Sequence, residues 1–397
     1  MLRNNTILNH VNNSIMGSNV KMLKNIRWNE FIHIVESRSE NIICIGAGKN
    51  LKKMEKKTVP ENFFDKVIDI LDNNKNKQNT LIEFGNKTYK IESVDKLNQN
   101  YLTGRCILIT MSDGYHEVID ELERMGLYND VDVYLFAVMN MLELEDIAMT
   151  KDIPTNIRLS DTMLIPKKIH YCWFGHNPIP DKNKKWMESW SKFCPDYEII
   201  EWNESNYDIT KNQYMYQAYQ AGKWGFVPDY ARLDIIYNYG GIYLDTDVEL
   251  IDNIDDLLYQ KAFAGFESDK YVNFGLGFGA QKGNSIIKAL MDNYNGRNFI
   301  KEDGTLDLIA SPVIQTEALK GMGLRIDGEY QVLDDITIYP EKMLCGKSLS
   351  TKRIKLKTYT KSIHHYDGSW LDVAVRNKAK EREKNLNDVL QRNYEEE

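Results

Sequence analysis

The stretch from Asp229 to Asp247, with the sequence DYARLDIIYNYGGIYLDTD, decides the fold of this chain. Apolar side chains recur at helical spacing from Asp229 to Tyr239, which predicts a helix, and the glycine pair 240–241 ends it where a positive φ costs little. The β-forming residues 242–244 then predict a strand. The two aspartates that close the stretch therefore fall just past the carboxyl end of a strand, where open α/β sheets bind their ligands.

The spacing of Asp245 and Asp247 predicts that both carboxylates serve one ion. In an extended backbone, residues two apart point to the same side, so these side chains would converge while Thr246 faces away. Carboxylate oxygens suit Mg²⁺ or Mn²⁺, which keep positions open for substrate phosphates and neutralise charge on a leaving oxygen. An Asp-x-Asp tripeptide alone is weak evidence, because solvated acidic turns also contain it.

Four segments carry a resemblance to a known family of enzymes. They lie in the family's order and together span about half of the chain, which makes the match far more specific than one motif. The segments are Ile165–Gly175, Cys194–Trp202, the core Asp229-x-x-Arg232 with Gly240–Asp247, and Ile363–Trp370. They resemble glycosyltransferase family 32, the sugar-transferases with a DxD motif that include capsule-synthesis enzymes. The resemblance implies a GT-A type α/β fold with a mixed central sheet over residues 163–375, and a hexosyltransferase that retains anomeric configuration.

The resemblance also implies which residues bind a nucleotide-sugar donor, with a UDP-sugar as the expected donor. Trp173 takes the position of a ring that stacks on the donor base, although an ordinary core position is the alternative. Asp229 and Arg232 lie one helical turn apart and would contact the sugar and phosphate portion, or simply pair with each other. The remaining donor-binding positions are Tyr243, for which a core position fits equally well, together with Asp245, Ser369 and Trp370.

The resemblance assigns the metal ligands and leaves one choice open. Asp247 would coordinate Mn²⁺ or Mg²⁺ directly, and Asp245 would contact the ribose or sugar, through a metal-bound water if not directly. Adjacent strand residues face opposite ways, so only one of His364 and His365 can enter the cleft. The family pattern favours His364, and spacing alone leaves His365 as an alternative. With Arg232, the two aspartates form the expected catalytic set.

The chemistry of retention requires explanation, because the sequence offers no obvious carboxylate nucleophile for the far face of the sugar. The family interpretation is attack by the acceptor hydroxyl on the same face, with the departing diphosphate taking the proton. The segment Asn273–Ala280, NFGLGFGA, is expected to form a strand and loop that shape the acceptor pocket; plain β-structure with glycine kinks is the alternative.

Composition limits the classes of partner. The chain has 397 residues, 42% of them hydrophobic and 27% charged, and a net charge of −8, which argues against general nucleic-acid binding. No apolar run approaches the roughly 20 residues of a membrane-spanning helix. Five cysteines without paired spacing favour a reducing cytoplasm, and the abundance of lysine and asparagine suggests a bacterial source. The resemblance to capsule-synthesis enzymes implies a glycan or lipid-linked oligosaccharide acceptor, with at most peripheral contact at the inner membrane face.

The region before the family match is predicted to be a separate Rossmann-like accessory domain over residues 41–150. Strands are expected at Asn41–Gly46, Phe64–Leu71, Cys106–Thr110 and Val131–Phe136, with a helix at Tyr115–Met125. Residues 1–40 are interpreted as a tail with a helix from Lys21 to Ser37, Thr150–Thr162 as a linker, and residues 376–397 as a charged tail, either a solvated helix or a frayed end.

Three functions fit the sequence. The first is a metal-dependent retaining glycosyltransferase in capsule or other surface polysaccharide synthesis. The second is a toxin-like transferase that glycosylates a protein hydroxyl, because related toxin domains share the Asp-x-x-Arg and DxD arrangement. The third is a sugar-nucleotide-binding module without turnover.

Overall fold

A computed structural model describes residues 23–111, 113–127, 131–155, 157, 159–368, 371 and 373–391. These residues form two compact units: the first takes the described residues up to Glu143 and from Glu381 onward, and the second takes Leu144–Lys380. Among the described helices, none combines the length and the apolar character that a membrane crossing requires.

The described residues form strands and helices in alternation along the chain. The strands are β1 (Leu23–Lys24), β2 (Asn41–Ile45), β3 (Val67–Leu71), β4 (Leu81–Phe84), β5 (Lys87–Lys90), β6 (Arg105–Ile109), β7 (Val133–Leu135), β8 (Lys168–Cys172), β9 (Glu198–Trp202), β10 (Gly241–Tyr243), β11 (Val248–Leu250), β12 (Ala262–Gly265), β13 (Phe278–Ala280), β14 (Gln331–Leu333), β15 (Ile336–Tyr339) and β16 (Ser362–His364). The helices are α1 (Trp28–Arg38), α2 (Lys49–Met54), α3 (Gln99–Leu102), α4 (Tyr115–Arg124), α5 (Phe136–Thr150), α6 (Asp181–Phe193), α7 (Gln213–Gln220), α8 (Pro228–Tyr239), α9 (Ser285–Asp292), α10 (Ser311–Gly321), α11 (Glu341–Leu344) and α12 (Val373–Gln391).

The first unit is built on a five-stranded sheet in the order β1-β7-β6-β2-β3, and every pairing in it is parallel. Strand alternation divides its apolar residues between two cores: Ile43 and Ile45 of β2 face one cluster, while Ile42 and Cys44 face the other. Helices cover both faces, because α4 contributes to the first cluster and α1 to the second. The predicted Rossmann-like α/β architecture is confirmed for this unit.

Several local predictions for the first unit are wrong. The helix expected from Lys21 to Ser37 begins at Trp28, after the short strand β1, and Lys21 lies outside the described residues. The strand expected from Phe64 begins at Val67, because Phe63–Lys66 forms a 3₁₀ turn. The hairpin β4–β5 was not predicted.

The C-terminal segment also differs from the predicted solvated helix or frayed end. It forms the long helix α12, and Leu386 and Val389 are buried in a core cluster of the first unit. Arg382 on the same helix pairs with Asp113 at 2.7 Å. Two apolar side chains three residues apart lie on one face of a helix. Burial of that face stabilises the docked helix, while its charged side chains remain on the other faces.

The second unit contains a seven-stranded sheet in the order β14-β15-β12-β13-β10-β8-β9. Strand β10 pairs in parallel with β8 and antiparallel with β13, so the sheet is mixed. A separate two-stranded ribbon joins β11 to β16 in antiparallel register. The predicted α/β class with a mixed central sheet is confirmed.

Helix α8 and strand β10 follow the sequence prediction closely. The helix begins at Pro228 and ends at Tyr239, and the strand covers Gly241–Tyr243. Gly240 has φ 64°, and a Cβ there would lie 2.9 Å from the backbone nitrogen of Lys282. Only glycine combines this conformation with this close approach, and that fixes the turn from helix to strand.

Candidate active site

Asp245 and Asp247 lie in a turn between β10 and β11. The backbone N–H of Val248 donates to the carbonyl of Asp245 at 3.0 Å, so the two aspartates belong to a reversal of the chain. The expectation that an extended backbone aligns their carboxylates is therefore wrong. The turn nevertheless brings them together: ligand atoms of Asp245, Asp247 and His364 all lie within 4.8 Å of one another.

The ribbon of β11 and β16 selects which histidine joins the carboxylates. Val248 stands opposite His364 in the register, and His364 Nε2 lies 3.2 Å from Asp247 Oδ1. His365 points the other way, where its ring stacks on Trp186 with centroids 4.0 Å apart. Its Nε2 lies 2.8 Å from Glu249 Oε2. The geometry places His364 with the aspartates and does not place His365 there.

Asp247 is held as an anion. Burial acts to raise its pKa, but the facing His364 and a hydrogen bond from the backbone N–H of Asp367 to Oδ2 at 2.8 Å outweigh burial and lower the pKa to about 2. Burial also acts to lower the pKa of His364, and the neighbouring Asp247 reverses this and raises it. The Nδ1 atom of His364 is buried without a hydrogen-bond partner among the described residues. The pair of Asp247 and His364 therefore keeps one nitrogen atom, Nδ1 of His364, that accepts or donates no hydrogen bond within the described residues.

A buried ion pair lies on the other side of Asp245. Arg232 donates from Nη2 to Asp229 Oδ1 at 2.9 Å and from Nε to the carbonyl of Pro228 at 2.9 Å. Its Nη1 lies 3.6 Å from Asp245 Oδ2, and the Tyr243 hydroxyl donates to Asp245 Oδ1 at 3.0 Å. Arg232 therefore pairs with Asp229 and also approaches Asp245, so both of the interpretations offered for it hold. Tyr243 is a fully buried core residue and also contacts Asp245.

Charge in this region is concentrated and poorly solvated. Burial raises the pKa of Asp229 to about 6, although Arg232 and a hydrogen bond with Ser311 oppose the shift. Burial also raises the pKa of Asp245, which Arg232 opposes and the nearby Asp247 reinforces. Repulsion between two neighbouring carboxylates is relieved when a cation binds between them.

The segment Asn273–Ala280 is a loop followed by the short strand β13, which begins at Phe278. The Asn273 side chain accepts from the backbone N–H of Gly275 at 2.7 Å and donates to Glu267 Oε1 at 2.9 Å. A Cβ at Gly275 would lie 2.4 Å from Asp245 Oδ2 and 3.0 Å from Arg232 Nη1. The loop backbone therefore forms the wall behind Asp245, and a glycine is what lets it approach so closely.

Glu267 was not predicted from the sequence. Burial raises its pKa, while the charges of His364 and Lys352 oppose the shift, so the carboxyl lies near the aspartate and histidine cluster. Its position just past the end of β12 is the signal that could have identified it, because Asp245 has the same relation to β10.

The remaining predicted donor-binding residues are only partly described. Trp173 follows β8 directly; its backbone N–H donates to the carbonyl of Trp202 at 2.9 Å, and its indole donates to the carbonyl of Asn177. Base stacking by Trp173 stays a prediction. Ser369 and Trp370 lie outside the described residues.

The donor set suits a divalent cation. Two carboxylates and one imidazole are available, and the side chains of Asp245, Asp247 and His364 are 30%, 13% and 10% exposed. The partly exposed Asp245 leaves one side of the cluster accessible. Hard carboxylate oxygens with an open side match the way Mn²⁺ and Mg²⁺ bind beside substrate phosphates.

Comparison with known proteins gives a match to one family and several similar proteins. Residues 180–264 match the family described as "Glycosyltransferase sugar-binding region containing DXD motif". Inositol phosphoceramide mannosyltransferase 3 of Schizosaccharomyces pombe is 30% identical over 170 residues, which is 41% of this chain and 47% of that protein. Subversion of eukaryotic traffic protein A of Legionella pneumophila is 28% identical over 122 residues, 24% of this chain and 19% of that protein.

A solved structure, PaToxG Glycosyltransferase, is 20% identical, covers 47% of this chain and 76% of its own, and superposes with a TM-score of 0.32. The chain spans about half the length of the mannosyltransferase that it matches. The family match contains Asp229, Arg232, Asp245 and Asp247, which are the residues that the site brings together, and ends before His364. Residues 180–264 of the second unit therefore resemble a glycosyltransferase sugar-binding region with a DXD motif, and the comparisons support the predicted assignment to the glycosyltransferases at that level.

Proposed function

We propose that this chain transfers a sugar from a nucleotide-sugar donor to a glycan acceptor, with retention of configuration and with Mn²⁺ or Mg²⁺. The observation that carries the proposal is the convergence of Asp245, Asp247 and His364 within 4.8 Å, beside the pair of Arg232 and Asp229. The imidazole favours Mn²⁺, because Mg²⁺ prefers oxygen ligands. When bound, the ion would supply the positive charge that stabilises a leaving diphosphate.

The protein groups have distinct tasks in this proposal. Arg232 is fixed by Asp229 and by the carbonyl of Pro228, so its guanidinium needs no reorganisation when a donor binds. Tyr243 holds the rotamer of Asp245 through its hydroxyl. The charge of His364 and the hydrogen bonds that Asp247 accepts keep Asp247 ionised, and so it remains available as a ligand. These contacts fix the protein groups that would hold the donor while the acceptor approaches.

The transfer step can be written without a protein nucleophile. The bond between the anomeric carbon and the diphosphate oxygen breaks, and a bond from the acceptor hydroxyl oxygen to that carbon forms on the same face. The hydroxyl proton passes to the departing diphosphate oxygen. The protein contributes orientation of the reactants and electrostatic stabilisation of the leaving group, which usually supply most of the rate enhancement in such reactions.

Two acceptor classes remain in the proposal. The yeast relative is named for mannosyl transfer to an inositol phosphoceramide, which supports a lipid-linked acceptor and a mannosyl nucleotide as donor besides the UDP-sugars. Synthesis of a capsule or another bacterial surface polysaccharide, in the cytoplasm, fits that acceptor class. A protein hydroxyl is the second acceptor class, and the likeness to a Legionella protein named for subversion of eukaryotic traffic fits an enzyme that acts on host proteins.

Slow donor hydrolysis tests the proposal. The protein is incubated with a panel of UDP-sugars and GDP-mannose, with and without MnCl₂, and release of the nucleoside diphosphate is followed. We expect one donor to be hydrolysed only with the ion, and Asp247→Asn to abolish this without loss of folding. The matched control is Asp208→Asn. Asp208 is exposed and accepts a hydrogen bond from the backbone N–H of Thr210, and an asparagine side chain can accept the same bond. If no donor is bound or hydrolysed with any divalent ion, the proposal is wrong.

A further inference from the structure

The loop of residues 273–277 leads into β13, which begins at Phe278, and is rich in glycine. Glycine lets a backbone take many conformations, so such a loop keeps one shape only where its neighbours impose that shape. The shape has a consequence here, because Gly275 of this loop lies against Asp245. The side chains that hold Gly275 in place therefore also affect the position of Asp245.

Gly275 contacts both the backbone and the side chain of Asp245. The backbone N–H of Asp245 donates to the carbonyl of Gly275 at 3.4 Å. A Cβ on Gly275 would lie 2.4 Å from Asp245 Oδ2, so the loop backbone passes directly beside that oxygen. Tyr243 and Arg232 contact the same carboxylate, at 3.0 Å from Oδ1 and 3.6 Å from Oδ2. The loop backbone thus completes the set of contacts that fixes the Asp245 carboxylate.

Asn273 holds the backbone of Gly275 through a buried side-chain amide. Its Oδ1 accepts from the N–H of Gly275 at 2.7 Å, and its Nδ2 donates to Glu267 Oε1 at 2.9 Å. The residue is 8% exposed. Its backbone N–H donates to the carbonyl of Gly265, the last residue of β12, at 3.1 Å. The amide therefore extends from a backbone that is bonded to the sheet, and both of its ends have partners.

Glu267 determines which end of the Asn273 amide faces Gly275. An ionised carboxylate accepts hydrogen bonds and does not donate them, so it selects the Nδ2 side and leaves Oδ1 for the backbone N–H of Gly275. The backbone N–H of Glu267 donates to the carbonyl of Tyr271 at 2.8 Å, which fixes the start of its side chain. Two apolar side chains could close the same loop without burying a carboxyl and an amide, so stability alone does not account for this bridge.

We propose that Asn273 is a positioning residue for Asp245, and that Glu267 acts through Asn273. The bridge from Glu267 through Asn273 to Gly275 holds the loop backbone against Asp245 and thereby keeps its carboxylate where a cation can bind. This inference rests on the proposed function, because the cation site belongs to that function. Asn273 and Glu267 act through other residues and are assigned no contact with the cation or the donor.

The test is Mn²⁺ titration of the whole chain by electron paramagnetic resonance, with urea denaturation of the same variants without added ion. Asn273→Ala should raise the Kd for Mn²⁺ about tenfold or more, because an outer hydrogen bond that orients a ligand is lost. Glu267→Ala should raise the Kd by no more than Asn273→Ala does. Glu267→Gln should bind Mn²⁺ more tightly than Glu267→Ala and close to the wild type, because the glutamine oxygen can still accept from Asn273.

The matched control is Asn293→Ala. Asn293 is an exposed residue of the same unit, and its side-chain amide donates to the carbonyl of Ala289 at 2.8 Å. This variant should bind Mn²⁺ as the wild type does.

A double-mutant cycle separates positioning from a direct effect of the Glu267 charge on the ion. If Glu267 acts through Asn273, the variant with both alanines should bind Mn²⁺ like Asn273→Ala alone. If its charge acts directly, Glu267→Gln should be as weak as Glu267→Ala, and the variant with both alanines should be weaker than either single variant. That result would overturn the inference.

A purely structural role would lower the stability of Asn273→Ala to urea and leave its Kd for Mn²⁺ unchanged, which would also overturn the inference. Should Asn273→Ala fail to fold, equal Mn²⁺ affinity in Glu267→Ala and Glu267→Gln would overturn it instead. These results would leave the proposed transfer standing. A wild type that binds no Mn²⁺ and hydrolyses no donor would contradict the inference and the proposed transfer together.

Discussion

Replacement of Gly275 by alanine should disturb Asp245 more than it disturbs the fold. The backbone φ of Gly275 lies outside the left-handed region, so alanine is allowed there and the effect is purely steric. The added methyl carbon would lie 2.4 Å from Asp245 Oδ2, whereas ordinary contact begins at 3.4 Å. The required displacement is the difference between these distances, about 1.0 Å, and it falls on the carboxylate or on the loop.

The carboxylate is not free to move by that amount. Its Oδ1 accepts from the Tyr243 hydroxyl at 3.0 Å, and its Oδ2 faces Arg232 Nη1 at 3.6 Å. The same methyl group would also lie 3.0 Å from Arg232 Nη1. Overpacking of this kind costs about 1–3 kcal/mol in the free energy of unfolding. A misplaced ligand should lower the affinity for Mn²⁺ by at least about tenfold.

Two measurements check the prediction: urea denaturation without added ion, and Mn²⁺ titration by electron paramagnetic resonance. Gly321 is the matched control, because its Cβ would meet no atom within 4 Å and its φ is not left-handed. Gly321→Ala should bind Mn²⁺ as the wild type does and be as stable, or up to about 1 kcal/mol more stable. Wild-type Mn²⁺ affinity in Gly275→Ala would refute the role of Asp245 as a positioned ligand.

Three further predictions use other parts of the second unit. His364→Ala should lower Mn²⁺ affinity more than about tenfold, whereas His365→Ala should lower the melting temperature by loss of its stacking and leave Mn²⁺ affinity unchanged; the reverse result would exchange their roles. Burial lowers the pKa of His170 to about 4, so its contribution to the free energy of unfolding is present above pH 6.5 and is lost as the pH falls toward 4, about 3 kcal/mol in all; urea denaturation across this range should show a slope that His170→Gln reduces. Trp173→Ala should raise the Kd for UDP or GDP about tenfold with a smaller effect on kcat, and an unchanged Kd would count against base stacking.

The parts of the fold that the sequence predicted are those governed by local pattern. Helix α8 has periodic apolar residues, a proline in its first turn and a glycine at its end, so its bounds could be read directly. The buried parallel strands β2 and β6 are continuous apolar runs, and each was placed within a residue of its observed limits. The pair Asp229 and Arg232 followed from helical spacing alone.

The parts that the sequence did not predict depend on pairings between distant segments. The choice between His364 and His365 follows from the register of β16 against β11, which no local pattern reveals. The backbone after β10 was expected to stay extended, but it turns at Asp245 and reverses to begin β11. Burial of Leu386 and Val389 depends on a core whose other members lie more than a hundred residues earlier, as with the contact of Arg382 to Asp113 across 269 residues.

The cluster of Asp245, Asp247 and His364 is complete only after β16 has paired with β11, and β16 lies near the end of the chain. Asp247 precedes its partner Asp367 by 120 residues, and His364 lies on the late strand β16, three residues before Asp367. A fragment that stops before β16 would keep both aspartates and lack the imidazole. The affinity for a cation would thus report whether β16 has paired with β11. Saturating Mn²⁺ would stabilise the folded second unit relative to partly folded forms that lack this pairing.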